Sequence, residues 1–128
     1  MQVQMPLALC SRVSPHPKRK ADESRQARYL VEEAANQLGT SGINETLARL
    51  QGALQLFGDD PAGEDQVWTA RAMLNLGTTL QRARRNEEAI AAFAAVIERF
   101  QGSSDDEIRK VVTLARAESG ATFGASGV

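Results

Sequence analysis

The feature that most constrains this chain is its likeness to itself. Shifted by 43 residues, Leu47 falls on Ile90, Leu50 on Phe93, Ala53 on Val96, Leu54 on Ile97 and Phe57 on Phe100. The same shift sets Trp68 on Val111, Ala72 on Ala115, Gly77 on Gly120, Thr79 on Thr122 and Leu80 on Phe123. With one residue removed in the loop, Leu30, Ala35 and Leu38 fall on Ala72, Gly77 and Leu80. A period of this length is one supersecondary unit repeated, and so thin a unit buries its apolar stripe only by stacking on a neighbour.

The repeated unit reads as helical. Alanine and leucine dominate a chain with 5% aromatic residues and four prolines, which favours helices over strands. Apolar residues at three-to-four spacing predict five helices. The first covers 23–38, with Tyr29, Leu30, Ala34 and Leu38 on its stripe. The second, 45–57 behind an Asn44 N-cap, buries Leu47, Leu50, Ala53, Leu54 and Phe57. In the third, 64–82, the stripe is Trp68, Ala72, Met73, Leu76 and Leu80. A fourth, N-capped by Asn86, turns Ile90, Phe93, Val96, Ile97 and Phe100 inward. Ser104 and Glu107 have capping-box spacing and open the fifth, which runs through Ile108, Val111, Leu114 and Ala115 towards Phe123.

The expected architecture is therefore all-α, with antiparallel helix-turn-helix repeats stacked as a short α-solenoid. Units fall at about 24–63 and 64–106, with a partial third at 107–128. Residues 1–22 lack periodicity and are expected to form a flexible leader.

The motif "LGTTL" at 76–80, followed by "AIAAF" at 89–93, resembles the tetratricopeptide repeat. Leu76 and Gly77 match the family's Leu-Gly pair, Leu80 stands where it prefers Tyr, Ala89 is its small residue and Phe93 its aromatic. Met73 takes the place of the family's Trp, so Trp68 is not the signature tryptophan; it could be a binding aromatic, but its apolar spacing with Ala72 favours packing. The first unit departs further, with Ala35 for glycine, Thr46 for alanine and Leu50 for the aromatic; the third keeps Gly120 and Phe123. The 43-residue period exceeds the family's usual length of about 34, so the resemblance is to its longer-period members, as a short member or a fragment. Ala35, Gly77 and Gly120 share one repeat position. This predicts room for only a small side chain there in all three units, and a close crossing of helix backbones beside Ala89.

The resemblance implies a concave face built from the first helix of each unit, with Glu32, Asn36, Arg71, Asn75, Thr78 and Arg82 facing it. Such a face binds peptides in many relatives. Glu32 stands where a carboxylate clamp would want a lysine, which argues against capture of a C-terminal carboxylate. The plainer alternative, a solvated polar face, stands beside the groove reading. Arg82, Arg84 and Arg85 suggest a phosphate site, but Glu87 and Glu88 follow directly, and the reading preferred from sequence is a solvated turn.

No catalytic constellation, cofactor motif or metal-ligand cluster is visible. His16 is the one histidine and Cys10 the one cysteine, both in the leader, and no Gly-rich phosphate loop occurs. The expected function is non-catalytic protein–protein interaction, without cofactor, metal, nucleic acid or membrane. The alternative is a structural helical bundle or oligomerisation unit. A lone cysteine excludes an internal disulfide, and the apolar run before it lacks a preceding basic residue, so a cytoplasmic location is expected. Val111, Leu114 and Phe123 have no following helix in the sequence, which predicts exposed apolar surface there and self-association through it.

Overall fold

The computed structural model describes residues 17–36 and 42–125, with side chains from 21 to 36 and from 42 to 124. Five α-helices and no strands make up the described residues. They are α1 (Pro17–Asn36), α2 (Ile43–Phe57), α3 (Glu64–Arg82), α4 (Asn86–Phe100) and α5 (Asp106–Ala125). None is long and apolar enough to cross a membrane.

Helix starts differ from the expectations in ways that local chemistry explains. α1 begins at Pro17, so 17–22, expected in the leader, are helical. Proline is at home on the first helical position, where its missing N–H would lack a partner anyway. Residues 1–16, with Cys10 and His16, and the stretch 37–41, with Leu38, lie outside the described residues. Asn44 and Asn86 are not N-caps. Both sit inside their helices, and the cap positions fall to Gly42 and Arg85, neither of which makes a side-chain capping bond. For α5 the cap is Asp105 rather than Ser104, since its Oδ1 accepts from the N–H groups of Glu107 (2.8 Å) and Ile108 (3.2 Å).

The end of α3 is tightly closed. The Arg85 N–H donates to the Leu80 carbonyl at 2.9 Å and the Arg84 N–H to that of Gln81 at 3.0 Å, the paired bonds of a Schellman motif. That motif places its C′ residue in the left-handed region, normally a glycine. Here the residue is Arg84, at φ 64°. An L-residue held so costs about 1–2 kcal/mol.

Packing follows the alternation of the chain. Each helix touches the next, α1 also touches α3, and α3 touches α5, whereas α2 and α4 do not meet. Two apolar cores result, with α3 shared between them. Ala27, Val31, Ala34, Leu50, Ala53 and Phe57 close around Ala72 in the first. In the second, Ala70 and Leu80 meet Phe93, Val96, Phe100 and the buried residues of α5. Tyr29 is 59% exposed and off the core, because α1 turns Ala27, Val31 and Ala34 inward instead. The buried polar side chains are Thr46, Thr69, Thr79 and Thr122. Each donates its hydroxyl to the carbonyl four residues back, so none is buried unsatisfied.

Burial follows the 43-residue self-alignment at three pairs of positions. Ala27 and Ala70 are both fully buried, and so are Leu50 and Phe93, and Ala53 and Val96, each pair 43 residues apart. This register makes Ala34, 1% exposed, the counterpart of Gly77; Ala35, which the sequence alignment placed there, is exposed. Of the two glycines at this position only Gly77 is crowded, and by a side chain of α4 rather than by the helix backbone expected beside Ala89. A Cβ on Gly77 would lie 2.5 Å from Cε1 and 2.7 Å from Cδ1 of Phe93, whereas one on Gly120 would meet nothing within 4 Å. What crowds Gly77 is the buried Phe93 ring, and no described helix supplies such a ring over Gly120.

Candidate functional site

Along α3, Arg71, Asn75, Thr78 and Arg82 recur at helical spacing and share one face. Arg71 lies over the Trp68 ring, 5.3 Å from its centroid, and its Nη2 reaches Oε1 of Glu107 on α5 at 3.2 Å. Thr78 gives its hydroxyl proton to the Leu74 carbonyl at 3.1 Å. Asn75 is half-buried and Arg82 exposed. On α1, Glu32 and Asn36 are exposed one turn apart, Asn36 being the last residue of the helix. At the 43-residue spacing Glu32 is the counterpart of Asn75.

Sequence reasoning missed the ionic links between these helices. Arg28 of α1 pairs with Glu64 at the start of α3 (3.3 Å), as Arg71 of α3 pairs with Glu107 at the start of α5. Both pairs span 36 residues, and both members move by 43 from one pair to the next. Arg28 Nε also lies 3.7 Å from Asp65, whose other carboxylate oxygen accepts from the Ser24 hydroxyl. The signal was legible as an arginine followed 36 residues later by a glutamate, twice at the repeat offset. It shows only when the self-alignment is searched for charges as well as apolar residues.

Four other surface features complete the polar geometry. Arg85 grips Glu88 through two bonds, 2.7 and 2.8 Å long. This hydrogen-bonding holds the exposed Glu88 carboxyl below its ordinary range and raises the Arg85 guanidinium. Arg82 and Arg84, beside this pair, line a cleft of about 360 Å³ with Gln81, Asn86 and Thr122. A second cleft, about 470 Å³, opens between the α2–α3 and α4–α5 loops, where Arg99 donates to the Asp59 carbonyl at 2.8 Å. On α5, Leu114 and Phe123 are each 51% exposed, whereas Val111, expected to share that surface, is buried. Among the described residues no group of three or more His, Cys, Asp or Glu side chains is placed to hold a metal ion.

No family model, no curated protein and no solved structure matches this chain.

Proposed function

We propose that this chain is a non-catalytic interaction module, a short α-solenoid of the tetratricopeptide kind that binds a peptide or partner protein in the cytoplasm. In this reading α1, α3 and α5 form the concave layer, and Glu32, Asn36, Arg71, Asn75, Thr78 and Arg82 face the ligand. The observation that supports it best is the recurrence of one inter-helix ion pair, Arg28–Glu64 and Arg71–Glu107, at the repeat offset. Recurrent contacts between first helices are what stacked units need in order to make a continuous face. Arg71 is already engaged by Glu107, so a ligand carboxylate would have to compete for it, whereas the amide of Asn75 suits an extended peptide backbone. The test is capture of partners by the wild-type chain and by an Asn36→Ala/Asn75→Ala variant. A partner lost only with the variant supports the groove; equal recovery removes it.

A second reading, an oligomerisation unit, is favoured by the exposed Leu114 and Phe123 on α5. Sedimentation of wild type against Leu114→Glu/Phe123→Glu separates the two. Self-association abolished by the charges favours assembly through α5, and a wild-type monomer excludes it.

A further inference from the structure

We propose that the cleft between the end of α3 and the start of α4 binds a phosphate monoester group. Four observations converge on it. First, most of the described cations are engaged: Arg25, Arg28, Arg71, Arg85, Arg109 and Lys110 each face a carboxylate and Arg99 a backbone carbonyl, leaving Arg82, Arg84 and Arg116 without a partner. Arg82 and Arg84 make no hydrogen bond or ion pair, yet both line this cleft, with the side chain of Asn86 likewise unengaged. Second, no acidic residue lines it, although the Glu118 carboxylate accepts from the Gln81 amide of its wall at 3.1 Å, whereas Asp59 and Asp60 line the cleft at the α2–α3 loop and Asp106 and Glu107 the one on α5. Of the two acids that follow in sequence, Glu88 is tied to Arg85 by two bonds.

Third, the turn does not need arginine for its shape. Arg84 occupies a left-handed position that glycine fills without strain, and its side chain makes no hydrogen bond or ion pair that would offset the strain. Forty-three residues earlier the sequence reads "GTSG", at 39–42, against "RARR" at 82–85. At that offset the sequence carries no arginine.

Fourth, the backbone around the cleft favours an anion. The Leu80 and Gln81 carbonyls at the end of α3 are engaged by the Schellman bonds, while α4 starts without a side-chain cap, leaving the N–H groups of its first turn uncapped by any side chain. Two guanidinium groups flanking such a start chelate phosphate oxygens better than any single charge does. The site needs Arg82 and Arg84 only, and so stands whether or not the α3 face binds a peptide.

The test is titration of the full chain with inorganic phosphate, followed by amide NMR, against chloride at matched ionic strength. Saturable shifts at Arg84, Arg85 and Asn86 are expected. Arg82→Gln/Arg84→Gln weakens them by about tenfold or more, the loss of two charge-assisted contacts. Arg116→Gln, which removes another unpaired arginine, leaves them unchanged. Arg84→Gly, which relieves the turn, binds phosphate more weakly while folding at least as well. Shifts no larger than chloride's, or equal loss in Arg116→Gln, overturn the proposal. A phosphoserine peptide binding more tightly than phosphate, and its unmodified form not at all, identifies a modified protein as the source. Equal affinity for peptide and phosphate identifies a free phosphate ester, and either result sustains the site.

Discussion

The ring of Phe93 fills the space that a side chain on Gly77 would need. A Cβ on Gly77 would stand 2.5 Å from Cε1 and 3.0 Å from Cζ of that ring, and Phe93 is itself fully buried. The helix-propensity cost of an interior glycine is thus offset by the packing of the Phe93 ring of α4 against the bare backbone of α3, the tightest contact among the described glycines.

Gly77→Ala is expected to destabilise the fold by about 1–2 kcal/mol, overpacking outweighing a gain in helix propensity of up to about 1 kcal/mol. Gly120→Ala, with open space around its Cβ, is expected to stabilise by about 0.5–1 kcal/mol. Urea melts of the two variants should move in opposite directions. Shifts of the same sign would contradict the assigned crossing.

Shrinking the ring should relieve the alanine. In a cycle of Gly77→Ala with Phe93→Leu, the double variant is expected to be more stable than the sum of the singles predicts, by about 0.5–3 kcal/mol. An additive cycle would mean that the two residues do not press on each other.

Arg84→Gly is expected to raise stability by about 1–2 kcal/mol, the cost of holding an L-residue at φ 64°. Thermal melts read this directly, and a lower melting temperature would show that the arginine stabilises the turn. Together with the phosphate titration, the same variant separates folding from binding at one position.

Capping of α5 predicts a contrast among neighbours. Asp105→Ala should cost about 1 kcal/mol, since both bonds to the first N–H groups go with it, while Ser104→Ala should change stability by less than about 0.5 kcal/mol. Equal losses from the two would restore Ser104 as the cap.

The two repeated ion pairs should behave alike. Double-mutant cycles at Arg28/Glu64 and Arg71/Glu107 are expected to give couplings of about 0.2–1 kcal/mol each, both falling at high salt, because all four groups are reached by solvent. Coupling in one pair and none in the other would break the equivalence of the two units.

How much was legible depended on whether a feature is local. The bounds of α3 were read correctly at both ends, because Glu64 follows a glycine-rich loop and the apolar stripe stops at Leu80. Asn44 and Asn86 misled, because a good capping residue can also sit in a first turn, and only the backbone path decides which residue becomes the cap. The alignment slipped by one residue in the first unit because Ala34 and Ala35 are chemically alike; burial separates them. On the α3 face the residue types were visible, but the engagement of Arg71 by Glu107, and the freedom of Arg82 and Arg84 beside it, were not.

By itself the sequence determined the helical period and the 43-residue self-alignment, since both are carried by the spacing of apolar side chains along the chain. The tertiary structure decided which glycine marks a crossing, which acid caps a helix and which arginines stay without a partner. Those properties depend on what stands opposite each residue in space, and residues such as Gly77 and Gly120 look the same until Phe93 is placed over one of them.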